Sequence, residues 1–415
     1  MGKISSRQRN FAFYAAKEGA YTTAMLFING TLVQLFLAHK GVAPERIGLF
    51  NTILYIVNIS TTILMSNLAE RKPNALHRCT RLLLVQAVLY LGFFAAFLPV
   101  RSGSGLLFFI ILTAASIQMA LYACKYIYEY KLLYQIIDIN EYGALASYTG
   151  VVIGLMGAVL GWICARVIER GNGDYPYVFG MALTEAMLLI TYFSSKNLLI
   201  VNHSFDQSHA EKTDLRKTLQ LLRSPIFRKF IVPNILRGFT IGVTNSIALI
   251  ALGMGYAEGV TARLAVMSAL GYIGGSFLYH LFERMLKPVA IGTIGSVLLI
   301  AMAFMPRSNS TAMLVLFLLA FVGRVLVDYA VPVMVFQMID PEISGAYNAW
   351  RNVLFSFTAA GVSYAIGALV GRVHPLWLLI PGVAAYGISM ACYGVLYKKF
   401  AKAPNEENAS EILRG

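Results

Sequence analysis

Charged residues are scarce in this chain of 415 residues: only 13% are Asp, Glu, Lys or Arg, whereas 58% are hydrophobic. A soluble domain has about a quarter of its residues charged, so the composition excludes an ordinary soluble protein. The mean hydropathy of +0.65 agrees with this. We therefore expect an integral membrane protein that crosses the bilayer many times, with the lipid bilayer as its surroundings.

Cysteine and histidine are also few, with four and six residues respectively. The cysteines show no paired spacing, which argues against a disulfide framework or a metal site. The sequence has no His-Glu-x-x-His motif, no Walker-type glycine loop and no Gly-x-Ser-x-Gly motif. We therefore expect no enzymatic activity, no metal and no cofactor, and any transport by this chain would not be driven by ATP.

Acidic residues are outnumbered by basic ones, and the net charge is +14. Such an excess can indicate nucleic-acid binding, but Lys and Arg also collect in the cytoplasmic loops of membrane proteins. With the N-terminus inside, the larger set of Lys and Arg falls on the inner side, including the stretch from Lys196 to Lys229. This predicts cytoplasmic termini in a plasma membrane, of bacterial type, and no nucleic-acid partner.

Long apolar runs divide the chain and predict about twelve membrane-spanning helices, because only closed hydrogen-bonding structures span lipid. The runs cover about 11–38, 46–69, 81–100, 105–137, 143–168, 176–198, 230–254, 262–282, 288–306, 311–338, 345–371 and 376–397. The predicted organisation is a six-helix bundle over 1–198, a cytoplasmic loop over 199–229, a second six-helix bundle over 230–397 and a cytoplasmic tail over 398–415. Within the loop, Leu215 to Arg223 has the apolar spacing of a short amphipathic helix.

Short sequence matches recur about half a chain apart. The stretch Tyr134-Gln135-Ile136-Ile137-Asp138 matches Phe336-Gln337-Met338-Ile339-Asp340, and Leu68-Ala69-Glu70-Arg71 matches Leu281-Phe282-Glu283-Arg284. Both pairs lie at corresponding loops of the two halves. A tandem duplication of a six-helix unit explains them together.

The loop after the second run also carries a family motif. Its sequence, Ser66-Asn67-Leu68-Ala69-Glu70-Arg71-Lys72-Pro73, resembles the Gly-x-Leu-Ala-Asp-Arg-x-Gly-Arg hallmark of the major facilitator superfamily, with Ser66 and Pro73 replacing two glycines. The resemblance implies an all-α membrane fold of two pseudo-symmetric six-helix bundles. It also implies a conformational latch on the cytoplasmic side, for which the candidates are Glu70, Arg71, Glu283 and Arg284. The alternative is that these are ordinary charged residues at the ends of spans.

Two charged pairs lie inside long apolar runs. Arg324 and Asp328 are four residues apart and share a helix face, as do Lys125 and Glu129 in the other half. Each charge costs about 2.5–3.5 kcal/mol to place in lipid on insertion scales, so such residues normally face a cavity or the bundle interior. For Lys125 and Glu129, a solvated cluster within an interfacial aromatic belt is the alternative.

Further polar residues are candidates for the same cavity. Aligning Gly19 with Gly238 places Glu18 opposite Arg237 and raises the hypothesis that they pair across the pseudo-twofold axis; the alternative leaves both charges at the cytoplasmic interface. We expect tyrosines and asparagines to line the site, namely Tyr122, Tyr126, Tyr329, Asn29 and Asn245. A stripe of glycines in the fifth run is interpreted as helix packing rather than a rocking interface: Gly150, Gly154, Gly157 and Gly161.

These patterns favour a monomeric secondary transporter that works by alternating access. Lys125 and Arg324 are the candidates for binding a sugar, a glycoside or an organic anion. The candidates for coupling to a proton or sodium ion are Glu129, Asp328, Glu18 and Arg237. Proton-coupled efflux of drugs or metabolites is the alternative within transport, and a non-transporting receptor or scaffold with the same fold is the alternative outside it.

Overall fold

The computed structural model describes residues 6–70, 74–97, 105–137, 142–171, 173–201, 225–338 and 341–400. Within these ranges the regular structure is helical, with no strand. The helices are α1 (Ser6–Ile28), α2 (Thr31–His39), α3 (Pro44–Glu70), α4 (Ala75–Phe97), α5 (Gly105–Ile136), α6 (Tyr142–Arg170), α7 (Tyr175–Lys196), α8 (Pro225–Asn245), α9 (Ile247–Gly253), α10 (Glu258–Phe282), α11 (Pro288–Leu298), α12 (Ser310–Phe336), α13 (Pro341–Leu369) and α14 (Leu376–Phe400). The amphipathic helix expected over Leu215 to Arg223 lies outside the described residues.

Broken helices occur at corresponding places in the two halves. The helices α1 and α2 form one apolar segment over Ser6–His39, and α8 and α9 meet at a bend of 52°. The helix α11 continues as a 3₁₀ segment over Leu299–Arg307. In the described part of the chain, 11 helices are long and apolar enough to cross a membrane, or up to 12 if the bent pair counts as one span. This confirms the prediction of a polytopic helical membrane protein.

Helix packing repeats from the first half to the second. In the first half, α1 packs on α6 and α7, α5 packs on α3 and α4, and α4 packs on α7. In the second half, α8 packs on α13 and α14, α12 packs on α10 and α11, and α11 packs on α14. Each contact of the first set therefore has its counterpart in the second, as a duplicated six-helix unit requires.

The two halves meet mainly through two helix pairs, α3 with α13 and α6 with α10, and α2 adds smaller contacts with α9 and α10. The glycine stripe of α6 lies in the second pair. A Cβ atom at Gly154 would come within 2.3 Å of Ile273 Cγ1, and one at Gly161 would contact Val266 at 3.4 Å. These glycines thus pack between the halves, where small residues let two backbones approach closely. This is the position that the alternative of a rocking interface gave them.

On one side of the bundle, charged and hydrogen-bonding side chains join the two halves. We call it the opposite side, because it lies across the bundle from the ends of α1 and α14 that lead to the chain termini. Glu258 contacts His39 at 3.2 Å and accepts a hydrogen bond from Tyr177 at 2.8 Å. Further pairs join Arg263 to Glu169 and Arg372 to Glu45. These contacts are exposed at the helix ends, so little free energy is needed to break each of them.

The proposed latch is only partly described. On the terminal side, His280 contacts Glu283 at 2.8 Å and Arg284 at 3.3 Å at the end of α10. The side chain of Glu70 and the whole of Arg71 lie outside the described residues. The latch between these two loops therefore stays a prediction.

Candidate functional site

A cavity of ≈ 530 Å³ lies between the two halves. Its walls come from α1, α3 and α5 of the first half and from α8, α10, α12 and α13 of the second. Most of the residues expected in a central site line it: Glu18, Asn29, Tyr122, Lys125, Tyr126, Glu129, Asn245 and Arg324. The volume suits a small organic molecule rather than a hydrated ion alone.

The first half contributes a cluster of four charges, which we call the lysine cluster: Lys17, Glu18, Lys125 and Glu129. The ammonium Nζ atoms of Lys17 and Lys125 each lie 2.8 Å from Glu18 Oε1. Glu129 accepts a hydrogen bond from Lys17 and lies 3.6 Å from Lys125 Nζ. Two cations therefore face two anions, and each carboxylate contacts both lysines.

Aromatic rings and a thiol surround the lysine cluster. The Lys125 ammonium lies 3.9 Å from the centroid of the Tyr21 ring, and the Tyr21 ring stacks on Tyr122 at 6.0 Å between centroids. Cys79 donates a weak hydrogen bond to Glu129 at 3.7 Å. Cation–π contacts of this kind stabilise a partly desolvated ammonium group. Lys125 and Glu129 are thus buried in the bundle, and the solvated aromatic-belt alternative does not hold for them.

The second half contributes three charges, which we call the arginine cluster: Arg237, Arg324 and Asp328. Arg237 Nη2 donates to Asp328 Oδ1 at 2.5 Å, and Arg324 Nε lies 3.4 Å from Asp328 Oδ2. The Tyr386 hydroxyl also donates to Asp328, at 3.0 Å, and Arg324 donates to the Thr244 hydroxyl at 2.8 Å. One carboxylate is therefore shared by two guanidinium groups.

The hypothesised contact between Glu18 and Arg237 is not formed in this structure. Glu18 pairs with lysines of its own half, and Arg237 pairs with Asp328 on α12. Arg237 is only 9% exposed, so its charge is buried among the helices rather than solvated. The physical reason is that long charged side chains reach from α1 to α5 and from α8 to α12, so each charge finds a partner within its own half.

Tyr329 is also placed differently from the prediction. Its hydroxyl contacts Ser276 at 3.1 Å, and its ring packs edge-on against Tyr279. A Cβ atom at Gly150 would lie 2.4 Å from the Tyr329 hydroxyl. Tyr329 thus packs at the contact of α6 with α10 and does not line the central cavity, although it follows Asp328 directly in sequence.

Several residues of the site were not predicted from the sequence. Lys17 completes the lysine cluster, and its signal was its position next to Glu18 in an apolar segment. Tyr21 lies four residues after Lys17 and therefore on the same helix face. Tyr55, Tyr272 and Tyr386 carried no such signal, because single tyrosines in apolar helices are common.

Solved structures of transporters share this architecture across nearly the whole chain. A D-xylose-proton symporter matches with a TM-score of 0.69 and 11% sequence identity, covering 94% of this chain and 97% of its own. The chain has the major facilitator fold. A bacterial homologue of the iron transporter ferroportin, in its outward-facing state, gives a TM-score of 0.68 at 12% identity and covers 95% of this chain and 100% of its own.

A third structural match to this major facilitator fold is the nucleoside transporter NupG. It has a TM-score of 0.62 and 12% identity, with 94% of this chain and 98% of NupG covered. No protein-family model and no curated protein matches the sequence. The neighbours named here are a D-xylose-proton symporter, a homologue of an iron transporter and a nucleoside transporter, so the shared fold is compatible with quite different substrates.

Proposed function

We propose that this protein is a secondary active transporter that moves a small polar or anionic solute across the plasma membrane by alternating access. The central cavity carries this proposal, because charged residues from both halves line it and the halves are joined on the opposite side by exposed ion pairs. A site between two packed bundles can face either side in turn if the bundles rock about it. The ion pairs on the opposite side support an interpretation of this structure as a state closed on that side.

The cavity wall suggests the kind of solute. Lys125 and Arg324 supply positive charge, Asn29 and Asn245 supply amide donors and acceptors, and Tyr122 supplies a flat aromatic face. Sugar rings and planar organic molecules pack on tyrosine faces, while hydroxyl and carboxylate groups need the polar groups nearby. A sugar, a glycoside or an organic anion fits this mixture better than a lipophilic cation.

Coupling to a proton or sodium ion is assigned to the carboxylates of the two clusters. Glu129 and Asp328 each contact two cations, so movement of a helix that carries one cation changes the charge balance around the carboxylate. Such a change is what links ion binding to a conformational step. Import by symport is the first choice, and proton-coupled efflux is the second.

The test uses purified protein in liposomes that contain a pH-sensitive dye. Pools of sugars, organic anions, amino acids and cationic drugs are added outside, with and without sodium. Internal acidification that depends on a pool supports proton symport and names the substrate class. Uptake of a labelled solute without proton movement supports sodium coupling or a uniporter instead.

Variants locate the coupling site and separate the rival functions. Glu129→Gln and Asp328→Asn should abolish solute-driven proton movement, measured at a temperature at which size-exclusion chromatography shows folded protein. Glu185→Gln is the matched control, since it removes a carboxyl group from α7 outside the cavity wall. If folded wild-type protein transports no solute of any pool in either direction, the result favours the receptor or scaffold hypothesis over the transporter hypothesis.

A further inference from the structure

The two charge clusters occupy equivalent places in the duplicated fold but differ in net charge. The lysine cluster lies between α1 and α5, and the arginine cluster lies between their counterparts α8 and α12. Two lysines balance two glutamates in the first, whereas two arginines share a single aspartate in the second. The arginine cluster therefore carries one positive charge more than its carboxylate balances.

Sequence alignment of the halves shows how the imbalance arises. With Gly19 set against Gly238, Glu18 corresponds to Arg237 and Lys17 to Leu236. In the first half, Glu18 is the carboxylate that contacts both lysines. The second half has Arg237 at the position that corresponds to Glu18. Its cluster therefore lacks the second carboxylate that Glu18 supplies in the first half.

The hydrogen bonding of Arg237 shows the same deficit. Its Nε and Nη1 atoms are buried and have no hydrogen-bond partner among the residues that the structure describes, while Nη2 pairs with Asp328. Among the described residues, Asp328 is the only carboxylate that pairs with either arginine of the cluster. Buried donors and charges without partners are costly, and in membrane helices they mark functional positions.

The two arginines differ in how firmly they hold Asp328. The Arg237–Asp328 hydrogen bond measures 2.5 Å, whereas Arg324 Nε lies 3.4 Å from the carboxylate. Arg324 also lines the cavity, and 15% of its side chain is exposed there. Arg324 is therefore the cation that an entering anion reaches first and that can leave Asp328 most easily.

We propose that the ligand carries a monoanionic group, a carboxylate in the simplest case, that binds Arg324 from the cavity. The anion takes the place of the long Arg324–Asp328 contact and leaves Asp328 to Arg237 alone. Each guanidinium of the arginine cluster then has one anionic partner, and this cluster becomes as balanced as the lysine cluster. That the anion is transported rests on the proposed function. Binding of the anion to Arg324 can be tested without measuring transport.

The first experiment measures the melting temperature of the purified protein in detergent with acetate and with its neutral isostere acetamide, at constant ionic strength maintained with a sulfate salt, whose anion is divalent. Acetate should raise Tm saturably by about 2 °C or more, because a ligand that binds only the folded state stabilises it. Acetamide should leave Tm unchanged. A wild-type protein that responds equally to both compounds, or to neither, overturns the proposal.

Two variants test where the anion binds. Arg324→Gln and, independently, Arg237→Gln each leave one guanidinium with Asp328, so the acetate response should disappear in both. Arg166→Gln is the control, since it removes an exposed guanidinium from α6 and should keep the full response. An acetate response that survives in both cluster variants overturns the assignment of the anion site to Arg324. Two variants are used so that the test remains valid if one of them misfolds.

A transport experiment separates a substrate anion from a bound inorganic ion. Liposomes are tested with solute pairs that differ in charge, galactose with galacturonate and nicotinamide with nicotinate, in chloride and in chloride-free buffer. Uptake confined to the acids supports an anionic substrate. Uptake of neutral solutes that requires chloride identifies an inorganic anion as the occupant of Arg324. Uptake of neutral solutes without any anion dependence refutes the inference but leaves the transporter proposal intact.

Discussion

The substitution Asp328→Asn should destabilise the protein strongly, because it leaves two buried guanidinium groups without an anion. Asp328 receives hydrogen bonds from Arg237 at 2.5 Å and from Tyr386 at 3.0 Å, and Arg324 lies 3.4 Å away. Breaking a buried ion pair by removing one partner costs about 3–5 kcal/mol. The Asp328 side chain is 27% exposed, so we expect a loss near the lower value, about 3 kcal/mol.

The assay is thermal unfolding of purified protein in detergent, followed by the loss of the monodisperse peak. A loss of about 3 kcal/mol corresponds to a fall in Tm of about 3–4 °C for a chain of this length. Adding Arg324→Gln to Asp328→Asn should recover part of the loss, because only Arg237 then remains unpaired. A double-mutant cycle measures this coupling. A Tm within about 1 °C of wild type would refute the reasoning.

The lysine cluster provides the matched comparison. Glu129→Gln removes one carboxylate there, but Glu18 remains 2.8 Å from both Lys17 and Lys125. The fall in Tm should therefore be smaller than for Asp328→Asn. Equal falls in Tm for the two variants would mean that Glu18 does not compensate the two lysines when Glu129 is lost. The proposed difference in charge balance between the two clusters would then be wrong.

Three further predictions concern the contact between the halves and the buried lysine. Gly154→Leu should abolish transport and increase labelling of an Asn51→Cys reporter from the opposite side, because a Cβ atom alone would come within 2.3 Å of Ile273. Glu258→Gln should increase the same labelling about 2–10-fold while Tm changes little, since exposed ion pairs contribute about 0–1 kcal/mol; unchanged labelling would contradict a closing role. Lys17→Gln should lower Tm by less than Asp328→Asn, because Lys125 still contacts both Glu18 and Glu129; an equal fall in thermal unfolding would show that Lys125 does not compensate the two glutamates.

The local sequence was sufficient to predict the helices and the charged pairs that lie along one helix. The apolar runs predicted the spans to within a few residues, because a stretch of about 20 apolar residues has few alternatives to a membrane helix. The four-residue spacing of Arg324 with Asp328 placed both on one face, and they lie 3.4 Å apart. The repeated motifs near Asp138 and Asp340 indicated the duplication, which the repeated helix packing matches.

Contacts between helices depended on the tertiary structure. The pairing of Glu18 with Lys125, the pairing of Arg237 with Asp328 and the position of Tyr329 beside Gly150 all depend on how neighbouring helices are rotated and shifted. The equivalent charges of the two halves are 199 residues apart on α5 and α12 but 219 apart on α1 and α8, so no single alignment of the sequence gives their relative depth. A helix fixes which of its own residues share a face, whereas the partner across the gap is chosen by the packing of two surfaces. That packing is why a neutral cluster and a cluster with one surplus positive charge face the same cavity.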